Sequence, residues 1–304
     1  MMEKLLYNNI RHVCDDTVGA MSLYSVGDRF ARGRKPLIII RGHAGRSSTN
    51  TKKLFDNPPK NNGPITEYNR FLYNSDVHFP LIVEYADKDT EEKMGSSYDK
   101  SAITTEVFAD SVTELMDKAD LENVDMIGGS VGATIAMLCS KSDRVDRVSA
   151  VSPVLPYSYL ADIDSITRQR FDSPVSFGSY IISRIALDQD YGFVRDMDET
   201  YRDPDYMRSL IDPEKIFLMA GDVNGLKGYG NPFVKIALYF AAQEQRKYSN
   251  LPSDGAIVVD SDYYESLGVQ YDIRHDLFHA YCDNHEKVLT MAYNNLQKVK
   301  KINR

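Results

Sequence analysis

The stretch 124–138, VDMIGGSVGATIAML, constrains this chain more than any other. It opens on a short apolar run of the kind buried as a strand. It then passes through Gly128-Gly129-Ser130-Val131-Gly132 and continues as an apolar, alanine-rich helix. Strand, sharp turn and helix in that order leave Ser130 at the turn, in a strained backbone conformation that holds its hydroxyl clear of the sheet edge. Gly128 and Gly132, two before and two after, let the strand and helix backbones approach closely. The expectation is a serine presented as a nucleophile, with the N–H of Val131 as one donor to a developing oxyanion.

The rest of the chain repeats the strand–helix alternation. Residues 37–40, 80–85, 148–151, 216–220 and 269–273 read as strands, and 65–73, 103–118, 233–246 and 286–297 as helices. Residues 3–25 read as a helix or two leading into the core, and 253–259 as a turn and an extended run. Alternation of this kind predicts an α/β protein, with a mostly parallel central sheet and helices on both faces. Residues 155–212 break the rhythm: the segment is rich in Tyr and Phe, is interrupted by Asp-Pro and Ser-Pro, and has helical patches but no clear strand. It reads as an inserted helical cap, leaving 1–154 and 213–304 as the core.

Composition excludes several classes. The formal net charge is -8 and no basic stripe dominates any segment, which argues against a nucleic-acid partner. Cys14, Cys139 and Cys282 are far apart and odd in number, so they form neither a metal spacing nor a disulfide framework. No apolar run approaches membrane-spanning length, and residues 1–9 lack the apolar core of a signal peptide. The expected setting is the cytoplasm. The sequence implies no cofactor or metal, and leaves the oligomeric state open.

A serine nucleophile needs an imidazole to take its proton and an acid to orient that imidazole. In a strand–turn–helix arrangement of this type the partners follow in the order serine, acid, histidine. Of 6 histidines, His12, His43 and His78 precede Ser130, and His285 falls at the start of the last helix as a surface residue. His279 is favoured over His275, because it lies in the polar link between the last strand and that helix. Two acids qualify. Asp222 follows the apolar strand 216–220 directly, and Asp254 opens the segment leading to the last strand. A second oxyanion donor is expected from the loop after strand 37–40, at the amide of His43.

With these residues in place, the chain resembles the α/β-hydrolase superfamily over roughly residues 36–300, and within it the lipase and esterase branch. Gly-Gly-Ser-Val-Gly stands where those enzymes carry their nucleophile elbow. Arg41-Gly42-His43 stands where they usually carry His-Gly-x, so the first position departs from the pattern while the backbone donor is unaffected. Ser253-Asp254-Gly255, with Val258 beyond it, is similar to the segment from which many bacterial lipases draw their triad acid, and this implies Asp254 rather than Asp222. The interval from His279 to Glu286 and Val288 matches their histidine-to-helix spacing.

The resemblance implies hydrolysis of a carboxylic ester or thioester, through an acyl-enzyme on Ser130 with a Ser-His-Asp triad, and the expected lack of a secretion signal points to a small or medium ester. The expected cap matches no part of that family; its own aromatic residues, Tyr157 and Tyr159 with Phe171, Phe177 and Tyr180, are expected to roof an apolar acyl pocket. Fold does not dictate function, so an inactive binding or scaffold protein and an acyltransferase using the same serine are the alternative expectations.

Overall fold

The computed structural model describes residues 10–17, 21–26, 33–42, 77–85, 99–155, 201–228, 231–279 and 286–299. Eight strands form one sheet: β1 (Ile10–Asp15), β2 (Ser22–Val26), β3 (Lys35–Ile40), β4 (His78–Glu84), β5 (Val124–Gly129), β6 (Val145–Val151), β7 (Ile216–Gly221) and β8 (Gln270–Arg274), in the order β1-β2-β4-β3-β5-β6-β7-β8. From β4 through β8 every neighbouring pair is parallel. The described α-helices are α1 (Thr105–Lys118), α2 (Val131–Cys139), α3 (Pro204–Leu210), α4 (Pro232–Ser249), α5 (Ser261–Leu267) and α6 (Glu286–Leu296).

Period-two alternation divides the sheet's side chains between two layers. In β3, Ile38 and Ile40 join the cluster built with Phe108, Val112 and Leu115 of α1 and Ile135 and Met137 of α2. Leu37 and Ile39 join the opposite cluster with Val288, Leu289, Ala292 and Leu296 of α6. A strand buried on both faces must be apolar throughout, which is why β3 reads as a continuous aliphatic run. All nine residues of α2 are buried, so this helix lies wholly inside the protein, packed against α1 and the sheet.

Two expectations are corrected. Residues 3–25 are not helical where described: β1 and β2 form an antiparallel pair, and β2 adds antiparallel to β4. The burial alternation of Met21, Ser22, Leu23, Tyr24 and Ser25 is that of a strand with one covered face, a period of two that a helical reading cannot accommodate. The extended run within 253–259 is a compact turn closed by one isolated bridge, Ser253 to Val258, and it leads into α5, a helix not expected from the sequence. The expected helix at 65–73 lies outside the described residues. So does most of the expected cap; its described end, 201–212, lies against the core, with Tyr201 O accepting from the Tyr263 hydroxyl at 2.6 Å and Asp212 N donating to Ser140 Oγ at 2.8 Å.

A polar knot closes the amino-terminal end of the sheet. Asp125, fully buried in β5, accepts from His78 Nε2 at 2.9 Å, Arg147 Nη2 at 2.6 Å and Lys35 Nζ. His78 also bonds the Tyr293 hydroxyl at 2.8 Å, and Arg147 Nη1 donates to Leu296 O at 3.1 Å, tying α6 to the sheet. Burial pushes the Asp125 carboxyl up, but hydrogen bonds from His78, Arg147 and Lys35 together with the Lys35 charge outweigh it and hold the group below its ordinary range.

Removing the carboxylate takes the buried counterion from Lys35 and Arg147 and leaves them only the half-exposed Asp146, so Asp125→Asn is expected to cost about 3–5 kcal/mol by chemical denaturation. Asp146→Asn, at the half-exposed outer partner of Lys35, should cost less than about 1 kcal/mol. Because the folded-state pKa is depressed, the Asp125 contribution is complete above the ordinary aspartate value of about 3.9 and disappears as pH falls through the lower folded value. Asp125→Asn should therefore flatten the acid limb of the stability–pH curve.

Candidate active site

Order in the sheet creates the crevice. From β3 the chain steps to β4 on one side and then returns to β5 on the other, so the carboxyl ends of β3 and β5 flank a topological switch point, where open α/β sheets bind ligands. Ser130 sits at the β5 end of this crevice with φ 56° and ψ -127°, a conformation that costs a non-glycine residue about 1–3 kcal/mol. The residues two before and two after it must be glycine. A Cβ on Gly128 would lie 2.2 Å from Gly132 O, and one on Gly132 would lie 2.3 Å from Ile40 O and 2.5 Å from Arg41 O. The second of these contacts seats the first turn of α2 against the exit of β3.

Val131 is the first residue of α2, so its N–H has no partner within the helix and lies at the positive end of the helix dipole. The loop after β3 is pinned beside it: the buried Arg41 offers its carbonyl to the Tyr85 hydroxyl at 2.8 Å. His43, the expected second donor, lies outside the described residues. So do Tyr157, Tyr159, Phe171, Phe177 and Tyr180, as well as Cys282 and His285.

From the far end of the chain, His279 arrives beside the elbow. Ser130 Oγ and His279 Nε2 are 2.9 Å apart across 149 residues of sequence. His279 Nδ1 lies 2.9 Å from Asp254 Oδ2. A carboxylate only accepts, so Nδ1 carries the proton, and Nε2 of the neutral ring accepts from the serine hydroxyl. Asp254 is fully buried, and its other oxygen accepts from Ala256 N at 3.0 Å and Ile257 N at 2.7 Å. The backbone repeats the connection, because His279 N donates to Asp254 O at 3.1 Å. A close approach brings both loops to the end of β7: a Cβ on Gly221 would lie 2.3 Å from Leu277 O and 2.6 Å from Asp254 Cβ. The charge of Asp254 reaches Tyr264, whose phenol is pushed up by burial and then by Asp254 and Asp260.

The two competing candidates pair with each other instead. His275 Nδ1 lies 3.1 Å from Asp222 Oδ2, and Arg246 holds the other Asp222 oxygen. The His275 side chain is 66% exposed against 15% for His279, so it sits on the surface while His279 is sheltered. Cys139, at the end of α2, is no rival nucleophile, since burial and then the charge of Asp110 push its thiol up to about 12. Among the described residues no group of three or more His, Cys, Asp or Glu side chains is placed to hold a metal ion, and no helix is long and apolar enough to cross a membrane.

No protein-family model and no curated protein matches the chain by sequence. Solved structures do match in three dimensions. A Bacillus licheniformis lipase in its mature form superposes with a TM-score of 0.55 at 13% identity, over 92% of this chain and 99% of the lipase. An esterase from Pyrococcus furiosus superposes with a TM-score of 0.52 at 15% identity, over 97% of this chain and 92% of the esterase. At such identity the likeness speaks for the fold alone, and the strand order, the elbow and the crevice agree with it: this chain has the α/β-hydrolase fold.

Proposed function

We propose that the protein is a serine hydrolase of carboxylic esters or thioesters, acting through an acyl-enzyme on Ser130. One observation carries the reading: the unbroken chain from the Ser130 hydroxyl through both ring nitrogens of His279 to the buried Asp254, at 2.9 Å for each link. In this reading His279 Nε2 takes the hydroxyl proton as Oγ attacks the substrate carbonyl. Asp254 stabilises the imidazolium that forms. The Val131 N–H, with the amide of His43 as second donor, meets the oxyanion. The imidazolium then protonates the leaving group, whose bond to the carbonyl carbon breaks. Water, deprotonated by the same ring, releases the acid and restores the serine. That the superposed structures include a lipase and an esterase supports the substrate class.

A fluorophosphonate probe tests the reading without knowledge of the natural ester. The expected result is stoichiometric labelling of the wild type, with the modified peptide containing Ser130, and turnover of short p-nitrophenyl esters. A folded protein that neither labels nor hydrolyses any ester would leave the scaffold alternative standing. If added alcohol or amine diverted most of the acyl group from water, the reaction would be reclassified as acyl transfer on the same serine.

A further inference from the structure

The Asp254 carboxylate can meet His279 only if the turn carrying it is held still, and part of that hold comes from outside the turn. Within the turn, Gly255 N donates to Ser253 Oγ at 3.1 Å, alongside the two amides already on Asp254 Oδ1. The Ser253 hydroxyl has its own partner: it donates to Oε1 of Gln245, on the inward face of α4. Gln245 Nε2 in turn donates to Gly255 O at 3.5 Å. Gln245 is 1% exposed, and Ser253 and Asp254 are 0% exposed.

A buried amide is costly unless its polar atoms are bonded, and here both ends reach the residues on either side of the acid. The helix bearing it is also fixed. Leu238 and Ala242 of α4 pack with Val223 and with Phe278, the residue before His279. Gly255, at φ 99°, has no room for a side chain, since its Cβ would lie 2.7 Å from Leu238. One helix therefore braces the loops of both the acid and the histidine.

We propose that Gln245 is a positioning residue: through the Ser253 hydroxyl and the Gly255 carbonyl it sets the acid turn so that Asp254 Oδ2 meets His279 Nδ1. The inference rests on the acyl-enzyme hydrolase reading for its effect on rate, but not for its effect on the histidine.

The test replaces Gln245 with methionine, close in length but unable to make either bond, and Ser253 with alanine as a second route to the same break. For a folded Gln245→Met, kcat is expected to fall about 100-fold with KM little changed, the size of loss that a small misplacement of a reacting group produces. The acid limb of kcat/KM should move down by about one pH unit, because an imidazolium facing a displaced carboxylate gives up its proton more readily. Both changes cut one chain of bonds, so Gln245→Met/Ser253→Ala should be no slower than the worse single variant, whereas unrelated packing defects would add. NMR titration of His279 reads the same displacement without turnover. A wild type that binds no fluorophosphonate and turns over no ester would overturn the acyl-enzyme hydrolase reading alone. A folded Gln245→Met that keeps wild-type kcat, pH profile and His279 titration would overturn the positioning role. If Gln245→Met does not fold, the same outcomes are read on Ser253→Ala.

Discussion

Replacing Ser130 with alanine should lower ester turnover by about a millionfold and abolish fluorophosphonate labelling, with the fold intact. The magnitude follows from what the hydroxyl does in the proposed reaction: it is the bond-forming atom, and in the structure Nε2 of His279 sits 2.9 Å away to receive its proton. His279→Ala should cost about as much, and the double variant no more than either single one, because a nucleophile without its base and a base without its nucleophile are equally idle. Residual turnover over water would come from the Val131 amide and from binding. Alanine keeps the Cβ at φ 56° and loses only the hydroxyl, so the backbone strain is unchanged and the variant is expected to be about as stable as wild type by thermal denaturation. Turnover within tenfold of wild type would end the acyl-enzyme reading.

Asp254→Asn carries the next largest effect after loss of the nucleophile or its base, a loss of about 10⁴-fold in kcat. The asparagine is nearly isosteric and can still accept from Ala256 N and Ile257 N through its carbonyl oxygen, so the turn should persist. What it cannot do is hold the Nδ1 proton with a negative charge, so the ring loses its fixed tautomer and the imidazolium loses its counterion. The matched comparison is Asp222→Asn, which breaks the pairing of this buried acid with the exposed His275 and with Arg246, away from the elbow, and should leave kcat/KM within a small factor. Kinetics on the two variants, with circular dichroism to confirm folding, separates a catalytic acid from a structural one at equal chemical change. Equal losses in both would mean that neither acts as assigned.

Much of the fold was legible because its signals are local. Aliphatic runs marked β3, β4, β5 and β7, helical periodicity marked α1 and α4, and Gly-x-Ser-x-Gly marked the elbow, each within a window of some residues. The failures share a cause. Residues 10–15 and 22–26 form strands only because β4 offers an antiparallel edge, and their half-polar sequence does not announce that partner. Gln245 gave no signal at all: it reads as one more polar residue on an amphipathic helix until the acid turn is folded beneath it. The knot at Asp125 draws ligands from β3, β4 and β6, which no short window contains.

Taken alone, the sequence determined that a serine would stand on a tight strand-to-helix bend in an alternating α/β chain, since glycine spacing and apolar runs dictate backbone geometry among near neighbours. It left two acids and two histidines in the permitted order. Loop position favoured His279 and the resemblance favoured Asp254, but only the tertiary structure puts that pair at the elbow and leaves Asp222 and His275 to each other away from it. The physical reason is distance along the chain: the partner of Ser130 lies 149 residues away, and which imidazole arrives is decided by how β7, β8 and α4 pack, not by the composition of either loop.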